Sequence, residues 1–421
     1  MNKSVPAPLQ LSLKLLLPLL AAILAISPLA VDMYLPAMPT LAKHLNTSMT
    51  MVQNSLSVYL IGYALGLILF GPMADKYSRR VLVFVGIGGF CLASLLLTVV
   101  SNIEQFLLVR FFQAFISSAA TVVVPGVVRE YYGKDTAKGL SYVSMIMMLA
   151  PMIAPSIGSV LLLTHSWQLI FYVLAAYSFL VLLLVTKFLP NRVTEPKVTS
   201  PDKHSLAGNL AEIKNSEFSF IQRYKVVLGN SQARLDIISS MMISLAFFSY
   251  ITAIPFVYLS VYSVSEYSFS VLFAVNVLAL MLAHFTNTRF VVRKGSRMML
   301  RIALCVAIFS ASLLLLVNFM QLPLIFTVFT IFPLMGSISM VAVNSDALIV
   351  TKFPQHAGTA TAVIGTLRWG VGALAGPILA LFYDGSAKPF SLLMFTAVLL
   401  VFCCQLILWF SDKKSENYKK I

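Results

Sequence analysis

Apolar residues run along this chain in stretches long enough to cross a bilayer, and short polar blocks separate them. A helix needs roughly 20 apolar residues to traverse the hydrocarbon core. Twelve stretches qualify, at about 13–36, 51–71, 81–100, 105–128, 140–163, 168–189, 236–260, 267–288, 299–318, 322–350, 358–382 and 389–410. Inside hydrocarbon every backbone N–H and C=O must be paired within its own segment, so runs of this length are helices. The pattern predicts an all-α integral membrane protein of twelve transmembrane helices. The longest polar stretch, 190–235, separates an N-terminal half (1–189) from a C-terminal half with a polar tail (236–421). Leu206, Leu210 and Ile213 give that stretch a weak apolar stripe, as expected of a cytoplasmic linker lying on the membrane surface. Lys3 and Lys14 precede the first run as in a secretory signal, but the run is too long and eleven more follow.

Composition removes the soluble classes. Hydrophobic residues make up 59% of the 421, charged residues 11%, and mean hydropathy is +0.89. The net charge of +15 raises the question of nucleic acid, and the positions of the cations answer it. With the N-terminus inside, 26 of the 30 Lys and Arg fall in cytoplasmic loops and termini. Only Lys43 and Lys388 fall outside, and Arg110 and Arg368 lie within spans. That asymmetry predicts an even number of spans with both termini cytoplasmic. The basic balance then reflects topology and contact with anionic lipid heads, with no nucleic-acid partner.

The halves echo each other. Pro36 corresponds to Pro255, Ser78 to Gly295 in the second basic loop RFVVRKGSR, and Pro155 to Pro377, at offsets of 217 to 222 positions. A duplicated six-helix half follows, giving two pseudo-symmetric six-helix bundles with a substrate site expected near the midplane.

Ionisable groups at membrane depth are costly and therefore candidates for function. Asp32 lies about four residues from the outer end of span one, and Arg110 about five from the outer end of span four. At 1.5 Å per residue both sit roughly 6–8 Å below the outer boundary, where they can pair or exchange partners. A static pair pinning two helices is the alternative. Deeper in the second half lie Arg368 and, nearer the cytoplasm, Asp346, about 7 Å apart in depth. Asp346 sits in water near Lys352 on the plainer of two readings; on the other it joins Arg368 in a second proton route. His284 is expected to pack rather than to relay protons. Phe247, Phe248 and Tyr250 in span seven, with Tyr34, Tyr59 and Tyr63 in the first half, are candidates for an aromatic wall facing a flat substrate. Pro151, Pro155 and Gly158 form one stripe of span five, suited to a hinge or to a packing kink.

Between spans two and three stands GPMADKYSRR, Gly71–Arg80. It resembles the signature loop of the major facilitator superfamily of secondary transporters, with Ser78 in place of the usual Gly. LLVRFFQAF in span four is similar to that superfamily's Arg-x-x-Gln-Gly pattern, with Ala114 at the last Gly. APMIAPSIGS at Ala150–Ser159 is similar to the Gly/Pro-rich antiporter motif, with Ser159 at a second Gly. With DMYLPAMP from Asp32 and AGTATAVIGTLRWGVGAL from Ala357, the chain resembles the bicyclomycin/chloramphenicol-resistance branch of drug:proton antiporters over nearly its whole length.

The resemblance implies the major facilitator fold and no enzymatic activity. It makes Asp32 the proton and cation site with Arg110 as coupling partner, and Gly71, Asp75, Arg79 and Arg80 a cytoplasmic gate. Asp32, Tyr34, Gln113 and Tyr250 are the expected substrate contacts. The coupling ion is the proton, with no other cofactor and no metal. The four cysteines and five histidines show no ligand spacing, and no phosphate loop is present. The expected protein is a monomeric bacterial inner-membrane exporter of drugs or other small organic molecules. Export of an endogenous metabolite or siderophore, proton-coupled import, and a non-transporting sensor are the alternatives.

Overall fold

The computed structural model describes residues 13–74, 77–132, 142–143, 146–147, 149–163, 166–189, 227, 229–353 and 357–418. Among these the regular structure is helical throughout. The N-terminal half contains α1 (Leu13–Asp32), α2 (Met38–His44), α3 (Met49–Met73), α4 (Arg79–Leu97), α5 (Ile103–Thr121), α6 (Val124–Tyr132), α7 (Leu149–Leu162) and α8 (Gln168–Phe188). The C-terminal half contains α9 (Ser231–Pro255), α10 (Glu266–Lys294), α11 (Ser296–Phe319), α12 (Leu324–Thr351), α13 (Ala357–Gly372), α14 (Ala375–Leu381) and α15 (Lys388–Tyr418). Eleven spans are long and apolar enough to cross a membrane, and α7 is a shorter apolar helix. The first part of expected span five and nearly all of the expected linker lie outside the described residues.

The chain divides into two compact units. One holds Met1–Val193 with Val264–Ala274, the other Thr194–Ser263 with Val275–Ile421. In the first, α3 and α4 pack on α5, α4 also packs on α8, and α1 lies against α7 and α8. In the second, α11 packs on α12 and α15, while α9 contacts α12, α13 and α15. Each unit inverts the polarity of a soluble protein. Leu92 and Leu163 are 65% and 76% exposed, whereas Arg110, Gln113 and Asp236 are all 0% exposed. In water that distribution would be ruinous; in lipid it puts the apolar surface in its preferred solvent.

Several spans are interrupted, and the interruptions matter. Span one was expected as one helix over 13–36. Instead α1 ends at Asp32, the chain turns through Met33 and Tyr34, and a short 3-10 segment at Leu35–Ala37 leads into α2. Pro36 contributes no N–H and so removes one bond from the ladder just past the end of α1. Its repeat counterpart Pro255 also marks an irregularity, since a π-helical turn follows at Phe256–Val261. Ser78 and Gly295, matched in the sequence repeat, both occupy N-cap positions, of α4 and α11. Gly295 has φ +78°, which favours glycine, but Ser78 has φ −56°, which any residue adopts. The departure from Gly at Ser78 therefore carries no backbone strain.

Candidate functional site

The break in span one assembles the candidate site of the first unit. Met33 N still bonds Leu29 O at 3.1 Å, but the irregular turn beyond it leaves the last carbonyls of α1 in need of donors. Arg110 supplies one: its Nη1 donates to Ala30 O at 3.2 Å and to Gln113 Oε1 at 2.8 Å. Gln113 lies one turn along α5 on the same face. Its Nε2 donates to Ser94 Oγ at 2.8 Å, and Ser94 Oγ donates to Phe90 O at 2.7 Å. A polar chain thus ties the end of α1 through α5 to α4. The guanidinium lies over the rings of Tyr59 at 4.5 Å and Tyr34 at 4.8 Å. Such rings attract a desolvated cation through their quadrupole. Arg110 Nε and Nη2 are buried with no hydrogen-bond partner among the described residues.

Asp32, at the C-terminal residue of α1, is 5% exposed. It forms no ion pair with Arg110 and accepts no side-chain hydrogen bond among the described residues. Matched depth suggested a direct pair; the structure shows two buried ionisable groups placed separately in one unit. The guanidinium turns instead to the carbonyl that the helix break exposes. An ionised carboxylate without cation or donor is expensive to bury.

Tyr34 and Gln113, expected to touch substrate, gather around Arg110. Tyr34 Oη is shared with Ser55 Oγ and Val52 O, Tyr59 donates to Ser27 Oγ at 3.3 Å, and Tyr63 to Thr121 Oγ1 at 2.9 Å. All three tyrosines are buried, with their hydroxyls engaged by protein. Tyr250 belongs to the second unit, where it accepts from Asn276 Nδ2 at 2.8 Å.

The small-residue stripe of α7 lies on the same break. A Cβ on Gly158 would overlap the carbonyl oxygen of Met33 and stand 3.1 Å from Pro36 Cγ. Glycine is what lets α7 approach the interrupted backbone beside Asp32. Pro155 is buried one turn earlier, and Pro151 is half-buried. Ser159, where glycine was expected, uses its hydroxyl to donate to Glu266 O at 2.8 Å within the same unit.

At the other end of this unit Arg79 Nη1 meets Glu130 Oε2 at 2.5 Å, joining α4 to α6. Arg80 donates to Thr186 O in the last turn of α8, where a cation complements the helix dipole. Among the described residues, no atom outside its own helix turn lies within 4 Å of where a Cβ on Gly71 would stand. Asp75, the acid of the expected gate, lies outside the described residues.

The second unit pairs Asp236 and Asp346 with cations. Asp346 does not sit with Lys352: its Oδ2 takes Arg368 Nη1 at 2.5 Å and its Oδ1 takes Ser240 Oγ at 2.8 Å. The reach of the Arg side chain spans the difference in depth. Lys352 Nζ instead meets Asp236 Oδ2 at 2.8 Å. Asp236 also receives a two-pronged contact from Arg297, Nη1 to Oδ1 at 2.6 Å and Nη2 to Oδ2 at 3.0 Å, while Gln405 Nε2 adds 3.2 Å to Oδ1. This cluster was not anticipated. Asp236 stands at the first position of an expected span, where an acid reads as a solvated helix end. The available signal was the five cations of 289–301, which have no acid in their own loop. His284 hydrogen-bonds Ser339 Oγ at 2.8 Å, joining α10 to α12.

Comparison with known proteins fits this architecture. The family model described as Major Facilitator Superfamily matches residues 20–377. A bicyclomycin resistance protein homolog of Haemophilus influenzae is 30% identical over 89% of this chain and 90% of its own length. An uncharacterized MFS-type transporter of Bacillus subtilis, YdgK, is 32% identical over 91% and 92%. The multidrug resistance protein MdtL of Salmonella paratyphi B is 32% identical over 49% of this chain and 51% of its own. Among solved structures, a D-xylose-proton symporter aligns with TM-score 0.69 at 14% identity, over 92% of this chain and 96% of that one. A POT family transporter solved with 5-aminolevulinic acid aligns with TM-score 0.71 at 14% identity, over 96% of both chains. At that identity the structures speak to fold alone.

Proposed function

The chain belongs to the Major Facilitator Superfamily, and from that premise we propose that it is a proton-coupled antiporter exporting drugs or other small organic molecules. The observation that carries the reading is Asp32: a buried carboxyl at the break of span one, without an ion pair among the described residues, in the unit that also buries Arg110. The named relatives in bicyclomycin and multidrug resistance support drugs as the cargo class. The protein works as a monomer in the bacterial inner membrane, with both termini in the cytoplasm, the orientation its loop cations favour.

Desolvation penalises the charged form of any acid, so proton binding and release at a buried carboxyl change the energy of the packing around it. Interrupted helices put such a change beside backbone groups that are free of the helix ladder and can bind an ion or substrate. A proton arriving from outside neutralises Asp32; substrate leaves in exchange; the proton departs when the site reopens to the cytoplasm. Arg110 couples the two events through its free Nε and Nη2 edge, which takes up negative charge when Asp32 ionises or a substrate anion arrives. Arg79 and Arg80, with Asp75, gate the cytoplasmic side, and the α7 stripe of Pro151, Pro155 and Gly158 moves against the break.

The test is export from cells. A strain lacking its own efflux pumps and carrying the unaltered gene gains resistance to at least one drug, abolished by a protonophore. Asp32→Asn, expressed to the same level, loses that resistance. Full resistance in the variant rules out Asp32 as the coupling acid.

A further inference from the structure

The second unit contains an ion pair that the coupling scheme does not use, and its surroundings are layered. Along α9, Ala233 and Ile237 join Val227, Ile349, Phe353, Val363 and Ile364 in a buried apolar cluster. One turn on, Ser240 and Ser244 face the pair: Ser240 Oγ donates to Asp346 Oδ1 at 2.8 Å, and Arg368 Nε donates to Ser244 Oγ at 2.7 Å. A further turn brings Phe248, whose ring lies 5.3 Å from that of Trp369. Gly372 makes this contact possible, because a Cβ there would collide with the Phe248 ring. An apolar floor, an ionic layer and an aromatic layer therefore follow one another along one helix face.

The pair is not built like the staple at Asp236. There the carboxylate is 0% exposed and is held by Arg297, Lys352 and Gln405. Here both side chains are 30% exposed, and Arg368 Nη2 has no hydrogen-bond partner among the described residues. Charges left open at membrane depth face a water-filled path or a ligand rather than lipid. The guanidinium is a planar fork suited to a carboxylate, and Asp346 occupies only part of it.

We propose that Arg368 is a binding site for the carboxylate of an aromatic organic anion, with Asp346 as the resident ligand that the anion displaces. Phe248 and Trp369 take the ring, and Ser244 holds the guanidinium plane. The proposal rests on the transport reading only for its physiological meaning; binding itself requires neither flux nor Asp32.

The probe is 2-naphthoate, compared with its neutral analogue 2-naphthamide, titrated calorimetrically into the detergent-solubilised full chain. The site binds naphthoate at least about tenfold tighter than the amide, since the guanidinium recognises charge. Asp346→Asn removes the competing carboxylate and tightens naphthoate several-fold. Arg368→Gln loses naphthoate binding, and Asp32→Asn keeps it. Equal binding of acid and amide overturns the proposal, as does no binding of either. Unchanged affinity in Arg368→Gln, or weaker affinity in Asp346→Asn, overturns it too. The comparison of acid with amide needs no variant, so a poorly folding Arg368→Gln does not spare the idea. If naphthoate binds but Asp32→Asn cells keep full resistance, the coupling scheme falls and this site stands.

Discussion

The two units handle buried charge in opposite ways. In the first, Asp32 and Arg110 are both buried and do not pair; the guanidinium caps a broken helix and lies against tyrosine rings. In the second, Asp236 and Asp346 each meet a cation directly, within 2.8 Å. A neighbouring cation favours the ionised form of an acid, so a paired acid holds its elements together for as long as it stays ionised. An acid without a cation leaves the energy of its site dependent on whether it carries a proton. The chain thus separates acids paired with cations from a candidate titrating group, and the difference is visible in partners rather than in depth.

The largest expected effect comes from removing a staple. Asp236→Ala leaves Arg297 and Lys352 facing each other without their shared acid, a loss of about 3–5 kcal/mol for a buried pair broken from one side. Thermal unfolding in detergent should show a large drop in midpoint and a poor folded yield. A midpoint equal to that of the unaltered protein means that the cluster does not hold α9 to α11 and α12.

Next in size is Gly158→Ala. The added methyl overlaps Met33 O, so α7 or the break must shift, an overpacking cost of about 1–3 kcal/mol. Because the shift falls beside Asp32, transport should fall further than stability does. Transport and midpoint declining in step would make the glycine a packing residue only.

The smallest effect is expected at Arg79. Its bridge to Glu130 is partly open to solvent, with side-chain exposures of 15% and 31%, so Arg79→Ala should cost no more than about 1 kcal/mol. Substrate affinity should stay intact while the transport rate drops. A matched fall in affinity would remove the gate reading.

The spans were legible because length and apolarity alone decide what crosses a bilayer. Ser78 and Gly295, matched in the sequence, both stand at the residue that precedes a helix. What escaped was azimuth and interruption. Depth put Asp32 level with Arg110, but rise per residue says nothing about which way each side chain points. The apolar run continues through Met33 and Tyr34 without a mark of the turn there, so the capping role of Arg110 toward Ala30 was invisible. Asp236 was hidden for a related reason: its partners come from α11, α12 and α15, up to 169 positions away. The polar α10–α12 contacts of His284 with Ser339 and Asn287 with Asn344 likewise depend on packing that no local pattern encodes.

The central claim is that the unpaired acid is the one that exchanges protons. The direct measurement is substrate-induced proton release from purified protein in weakly buffered detergent solution, using a drug identified by the resistance assay. The unaltered protein should release protons on drug addition, and Asp346→Asn should do the same. Asp32→Asn, folded by the criterion of an unchanged unfolding midpoint, should release none. Release of the same size from Asp32→Asn, or its loss in Asp346→Asn alone, would contradict the account and move the coupling site into the second unit.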